Sequence, residues 1–388
     1  VSFARQASKT AAIGAALLFF SAAQAPAQPP KGPEVIAYVF PQQAQLQPGE
    51  IAAKKLTRIN YAFADIQGGR MVAGFPHDAE NLAALVALKK ENPSLKVLIS
   101  VGGWSWSGGF SDMALTSDSR RDFIESVAAF LEKYQLDGLD IDWEYPGMAG
   151  STKHFRAEDK QNYTLLLAEL RARFEREEKR LHRRLYLSIA VGGEGDFIEH
   201  TEMDEVQKYV DTVNLMAYDY YEPGSESITG NHAPLFPDPA DPKKISASTS
   251  VQLYEKAGVP AHKIVLGVPF YGHAWSQVPD RNHGLFQPGK SAPEDFSRFG
   301  NISTTMLNQG FTRYWDAAAA APSAYNAAKR IFVSYEDPES LALKCKYVLT
   351  HGLGGIMFWD YESDPSETLL NAVDQHLHLS SGGMENAR

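Results

Sequence analysis

Eight short runs of β-branched and other apolar residues recur along the chain, and between many of them the apolar positions change to helical spacing. The runs are Val35–Phe40, Ile59–Ala64, Lys96–Gly102, Gly138–Glu144, Leu185–Val191, Val213–Tyr218, Ile264–Phe270 and Gly355–Trp359. Several are nearly continuous in apolar residues, as parallel strands buried on both faces require. Phe123, Val127, Phe130 and Leu131 fall on one face of a helix that Ser117 or Asp118 can cap. Tyr163, Leu166, Leu167, Leu170 and Phe174 repeat that spacing, and the charged stretch Arg171–Arg184 continues the second helix as a solvated face. Strands alternating with helices imply an α/β fold with a parallel sheet. Eight of them favour a (β/α)8 TIM barrel over an open doubly wound sheet. A Rossmann-like sheet, the competing arrangement, would carry Gly-x-Gly-x-x-Gly opening a helix after the first strand, and none is there.

One stretch does not fit a plain barrel. Residues 275–346 are too long for a single βα connection and contain strand-like Ile331–Tyr335 among Gly, Pro and polar residues. The reading is a barrel over 34–379 with a small α+β insertion domain at 275–346, between strands seven and eight. A disordered tail is expected from Ser380.

The first residues read as a processing signal. Arg5 and Lys9 precede the apolar run Ala11–Phe20, and Ala23-Gln24-Ala25 offers a small-residue cleavage site. The run is too short to span a bilayer, and the Pro-rich stretch Pro26–Pro33 ends any helix. Residues 1–25 are therefore expected to be a signal peptide, with the protein secreted to an extracellular or periplasmic location and no membrane contact after cleavage. A buried amphipathic N-terminal helix is the alternative.

Composition narrows the partners. With a formal net charge of −10, the chain lacks the basic surface of a nucleic-acid binder. Most of its 6 Trp, 17 Tyr and 20 Phe should be core, and a surplus can also line a sugar cleft. The single cysteine, Cys345, excludes an internal disulfide, so a large core must carry stability. Cys345 lies in the helical pattern Leu341–Leu349, where it packs as a small apolar residue rather than as a catalytic thiol.

The informative segment is Asp137-Gly138-Leu139-Asp140-Ile141-Asp142-Trp143-Glu144. In a strand, Asp140, Asp142 and Glu144 point to one side, and Leu139, Ile141 and Trp143 to the other, where the helices pack. In a barrel the three carboxyl groups stack toward the interior, with Glu144 nearest the C-terminal mouth, where catalytic groups sit. Three like charges in a poorly solvated place cannot all ionise, so at least one pKa must rise. A carboxylic acid kept protonated near neutral pH is what a glycosidic oxygen needs in order to leave. The bland alternative is a wet acidic strand face. A calcium loop is a second, but the Gly and later Glu of an EF-hand are missing.

Asp137-x-x-Asp140-x-Asp142-x-Glu144 resembles the signature of glycoside hydrolase family 18, the chitinases. Ser100-Val101-Gly102-Gly103-Trp104 resembles the family's strand-three motif, and Met216-Ala217-Tyr218-Asp219 its strand-six motif. Gly267-Val268-Pro269-Phe270-Tyr271-Gly272 and Gly355-Ile356-Met357-Phe358-Trp359 resemble the ends of strands seven and eight. Tyr335-Glu336-Asp337-Pro338-Glu339-Ser340 resembles part of the family's chitinase insertion domain.

The resemblance implies a retaining, substrate-assisted hydrolysis of β-1,4-linked N-acetylglucosamine polymers by a monomer without metal or cofactor. It makes Glu144 the general acid and base, Asp142 the partner of the substrate acetamido group, and Asp140 a group that tunes Asp142 with help from Tyr38 and Ser100. Tyr218 would hold the acetamido oxygen, and Asp137 would serve the strand's start. Trp359 would floor the reacting sugar, with Tyr38, Phe63, Ser100, Trp104, Tyr145, Met216, Asp219 and Tyr271 as further substrate-binding positions. One departure stands out. Many relatives carry Arg two residues after the tyrosine corresponding to Tyr271, and here His273 occupies that place without a bidentate fork.

Three other readings remain. An endo-β-N-acetylglucosaminidase or peptidoglycan hydrolase would use the same residues. A silent chitin-binding lectin would typically have lost the glutamate. A metal-dependent hydrolase would need a histidine cluster, which the spacing does not reveal. Endo or exo action stays open.

Overall fold

The computed structural model describes residues 32–292 and 296–382; the expected signal segment at 1–25 lies outside them. Eight parallel strands form the centre: β1 (Glu34–Val39), β2 (Arg58–Gln67), β3 (Lys96–Gly102), β4 (Gly138–Asp142), β5 (Tyr186–Gly192), β6 (Thr212–Met216), β7 (Ile264–Pro269) and β8 (Gly355–Trp359). Each pairs with the next in sequence, and β1 pairs with both β2 and β8. The sheet therefore closes on itself as the predicted (β/α)8 barrel, with a short strand Arg70–Ala73 folded back antiparallel on β2.

The predicted helical faces are the ones that bury. Phe123, Val127, Phe130 and Leu131 of helix Ser117–Tyr134 lie in the core, as do Tyr163, Leu166, Leu167, Leu170 and Phe174 of helix Asp159–Leu181. The first helix is capped by Thr116, not Ser117 or Asp118. The Thr116 hydroxyl accepts from the Ser119 N–H while the Ser119 hydroxyl serves the Thr116 N–H. The charged continuation is less solvated than expected, because Arg171 reaches inward to the Tyr209 carbonyl and pairs with Asp211. Arg58 is 1% exposed and closes the bottom of the barrel, bonded to Glu34 and to Thr212. Cys345 is fully buried, and burial pushes its thiol up to about 12.

The insertion is present between β7 and β8, with shifted bounds. Its five-stranded antiparallel sheet begins at His273–Ser276 and continues through Lys290–Ser291, Thr312–Asp316, Ala321–Asn326 and Ile331–Ser334. The following segment, read from the sequence as part of the insertion, starts a barrel helix. Asp337 caps helix Pro338–His351 by accepting from the Glu339 and Ser340 N–H groups, and Leu341, Cys345 and Val348 bury on its inner face. Glu336 and Lys344 form a wholly buried pair that anchors this helix to the Ala233 carbonyl. The last helix, Thr368–Gly382, runs past Ser380, so the expected tail does not start there, and residues 383–388 lie outside the description.

Candidate active site

The barrel's interior carries one polar layer. Ser100, Asp140 and Ser188 are direct neighbours in register on β3, β4 and β5. Asp140 is fully buried. Its Oδ2 accepts from the Tyr38 hydroxyl at 2.9 Å and from Ser100 at 2.8 Å, and its Oδ1 from Ser188 at 2.6 Å and the Asn214 amide at 3.1 Å. Burial raises the pKa of Asp140, opposed by Ser188, Ser100 and Tyr38. Four donors make it the best placed member of the row to hold a negative charge.

Above it the row has fewer partners. Asp142 is 4% exposed and its Oδ1 has no hydrogen-bond partner among the described residues. Burial, then the charges of Glu144 and Asp140, push it well above the usual carboxylate range. Glu144 is pushed up to about 7 by burial and by the charges of Asp219 and Glu222, against a lowering contribution from Tyr145. Asp142 and Glu144 thus hold a proton between them near neutral pH, which is the state an acid catalyst needs. Asp137 stands apart at the strand's start, where it accepts from the Val97 N–H at 2.8 Å and pairs with Lys89 and Arg183.

β4 ends at Asp142, two residues before the predicted limit, so Glu144 sits on the turn beyond the strand. Its N–H donates to the Ser107 hydroxyl at 2.9 Å. The Asp142 carbonyl accepts from the Gly103 N–H at 2.8 Å. Gly102, at φ +104°, is what permits this approach: a Cβ there would lie 2.3 Å from the Asp142 carbonyl oxygen. Leu139, Ile141 and Trp143 face outward into the core, with Trp143 stacked on Phe110 at 5.0 Å.

A cleft of about 780 Å³ opens over Asp142 and Glu144. Trp359 lies at its base, stacked with Phe63 at 5.4 Å and packed on Phe40 and Tyr38. Trp104, 55% exposed, stands at the rim in edge contact with Tyr145. Tyr38, Phe63, Trp104, Tyr145, Met216, Tyr218, Asp219, Tyr271 and Trp359 all line this one cavity. Ser100, counted among substrate-contacting positions, does not: it is fully buried under Asp140 and supports it instead. The floor of aromatic faces with a few convergent polar groups suits a sugar ring, apolar on its faces and polar at its edge.

Asp219 ties three segments together. Its carboxylate accepts from the Tyr271 hydroxyl at 2.6 Å and contacts His273 Nε2 at 2.8 Å, with His232 Nδ1 at 3.5 Å. Burial would raise Asp219, but His232 and His273 outweigh it and hold the carboxyl below its ordinary range. Burial lowers His232 to about 4, leaving it neutral. The sequence spacing showed no histidine cluster, yet these ligand-type atoms lie within 4.8 Å of one another. The 2.8 Å contact of His273 with Asp219 is a hydrogen-bond separation, whereas the His232 ring at 3.5 Å makes no hydrogen bond. His273, which stands where many relatives carry arginine, is in contact with Asp219.

Several residues of the site escaped motif reading: Ser107, Ser188, Asn214, Phe40, Trp106, Glu222 and His232. Ser188 and Asn214 carried one signal, a lone polar residue inside an apolar strand run. Ser107 and His232 carried none.

Residues 34–364 match the family model Glycosyl hydrolases family 18. The chain is 39% identical over 332 residues to chitinase A1 of Niallia circulans, covering 80% of this chain but 47% of that protein, so it spans about half the length of that relative. Among solved structures, a family 18 N-acetylglucosaminidase from Paenibacillus barengoltzii superposes with TM-score 0.82 at 40% identity, covering 89% of this chain and all of that one. Chitinase ChiW from a Paenibacillus strain superposes with TM-score 0.84 at 37% identity over 89% of this chain and 43% of its own. The barrel, the carboxyl row at the end of β4 and the extent of these matches agree: the chain belongs to glycosyl hydrolase family 18.

Proposed function

We propose that the protein is a chitinase, hydrolysing β-1,4 links between N-acetylglucosamine units by a retaining, substrate-assisted mechanism. The observation that carries this reading is the division within the carboxyl row, where Glu144, raised to about 7, stands above a buried Asp140 that four donors hold. Glu144 gives its proton to the leaving oxygen. The substrate's 2-acetamido oxygen attacks the anomeric carbon, and an oxazolinium ion forms. The unpartnered Oδ1 of Asp142 accepts the acetamido N–H, and Tyr218 donates its hydroxyl to the acetamido oxygen. Glu144, now ionised, takes a proton from water, which opens the ion with net retention. Holding an internal nucleophile in place lowers the barrier by several kcal/mol, on the order of 7–11 in the best cases.

Action as a monomer is part of the same proposal. Secretion belongs to the same reading and rests on the charged, apolar and small-residue order of residues 1–25. The N-acetylglucosaminidase from Paenibacillus barengoltzii favours a second reading beside cleavage within polymers, release of single sugars. A time course of products and anomers from chitin hexasaccharide separates the two. The same assay beside N-glycans and muropeptides tests the substrate, and cleavage of glycoprotein glycans alone would sink the chitinase assignment. Loss of activity on chelation would instead favour the metal-dependent alternative.

A further inference from the structure

His232 is fully buried, and neither nitrogen of its ring has a hydrogen-bond partner among the described residues. The ring is nevertheless held in place. The His232 backbone N–H donates to the Ser334 hydroxyl at 2.9 Å, the Ala233 carbonyl accepts from buried Lys344, and the ring packs edge-on against Tyr271 and His273. A neutral imidazole carries a lone pair as well as an N–H, and burying both unpaired is costly unless a ligand takes one up. The nitrogen that faces the cleft side, Nδ1, lies 3.5 Å from Asp219 Oδ1, and His273 Nε2 lies 2.8 Å from the same oxygen.

Two imidazoles and a carboxylate oxygen, all within 4.8 Å of one another, are a ligand set suited to a divalent transition metal. Ligand atoms about 2.0–2.2 Å from a tetrahedral zinc ion sit roughly 3.3–3.5 Å apart. The His232–Asp219 separation already has that value. The His273–Asp219 pair has to open by about half an ångström, and the His273 side chain, 18% exposed, has room to turn. Tyr271 donates to both oxygens of Asp219, so Oδ2 stays held while Oδ1 serves a metal. No lysine or arginine lines the adjoining cavity among the described residues, and the charge of Lys344 is met by Glu336.

We propose that Asp219 Oδ1, His232 Nδ1 and His273 Nε2 bind a divalent ion of the zinc class, with its fourth coordination position open to the cleft that Asp219 and His273 line. A proton on His273 Nε2 moves to Nδ1 through solvent as the metal takes the freed lone pair. The ion is an inhibitor rather than a participant in bond cleavage. It occupies the cleft wall, so zinc and an oligosaccharide weaken each other's binding by the same factor. Arginine at position 273 offers no lone pair and adds a positive charge, which makes the site a property of this sequence.

Calorimetric titration of the chelator-treated protein with zinc chloride is expected to show saturable binding that magnesium and calcium do not displace. His273→Arg and His232→Gln should each weaken it about 100-fold or more. Cobalt titration should give the intense visible absorption of a tetrahedral site in the wild type and in neither variant. Thermal melts check folding, and His273→Arg, at a part-exposed position, decides the matter if His232→Gln does not fold. Zinc binding that survives His273→Arg overturns the proposal. In the Glu144→Gln protein, saturating zinc should lower affinity for N-acetylglucosamine hexamer about tenfold; this arm rests on the chitinase reading. Unchanged hexamer affinity overturns the open position toward the cleft. A hexamer that fails to bind while zinc is held removes the chitinase reading and keeps the metal site.

Discussion

The backbone N–H of Glu144 donates to the hydroxyl of Ser107 at 2.9 Å, and that hydroxyl reaches back to the carbonyls of Gly103 and Asp142. Glu144, the proposed proton donor, is thus held by a serine that follows β3. Ser107 is 2% exposed, so removing its hydroxyl leaves the Glu144 N–H buried without a partner. Ser107→Ala is expected to lower kcat about tenfold through misplacement of Glu144 and to lower unfolding free energy by about 1–3 kcal/mol. Ser107→Thr, which keeps the hydroxyl, should recover most of both. Steady-state kinetics with denaturant unfolding reads the two effects, and full activity in Ser107→Ala would disprove the positioning role.

Glu144→Gln keeps the shape of the side chain and removes the proton. Turnover should fall roughly 10²–10⁴-fold while oligosaccharide binding survives. In the wild type the acid works only when protonated, so activity falls as pH rises through about 7. Glu222 is one of the charges that hold Glu144 up, and Glu222→Gln should move that alkaline limb to lower pH. A limb that stays in place would show that Glu222 does not act on Glu144.

Tyr218 stands at the end of β6 in the cleft, in edge contact with Tyr271 at 6.1 Å. If its hydroxyl fixes the acetamido oxygen, Tyr218→Phe loses roughly 10²-fold in kcat with KM little changed. A rise in KM at constant kcat would assign it to ordinary ground-state binding.

Gly102→Ala tests the backbone beneath the row. Its Cβ would sit 2.3 Å from the Asp142 carbonyl oxygen, at a φ of +104° that L side chains avoid. A loss of about 2–4 kcal/mol in stability is expected. Gly108→Ala, whose Cβ meets nothing nearer than 3.8 Å, is the matched control and should leave the unfolding midpoint within experimental error.

Glu362 accepts the Phe40 N–H through both oxygens, and burial with the nearby Asp360 charge raises it from 4.5 to about 7. Between those values the folded state keeps a proton that the unfolded chain releases, so this group's contribution to stability falls as pH rises from 4.5 to about 7. Glu362→Gln can still accept from Phe40 and cannot ionise. Its melting temperature should therefore decline less steeply over that window than the wild type's, as differential scanning calorimetry at several pH values would show.

The amino-acid order alone determined the repeating strands and helices, the barrel and the carboxyl row on one side of β4. These depend on local periodicity: every second residue of a strand shares a side, and every third or fourth residue of a helix shares a face. Asp137 was separable from the row for the same reason, by its place at the strand's start. Only the closed barrel decided which groups meet that row. Tyr38 reaches Asp140 across 102 positions and Asn214 across 74, because the closure of β1 on β8 and the stagger between strands set which side chains share a layer. Ser107 on Glu144 and His232 on Asp219 come from segments outside the strands and long helices, whose course no periodicity describes, and His273 comes from the first strand of the insertion sheet. The insertion's limits moved for a related reason. Residues 338–351 have a helix's spacing wherever they belong, and it is packing of Leu341, Cys345 and Val348 that assigns them to the barrel.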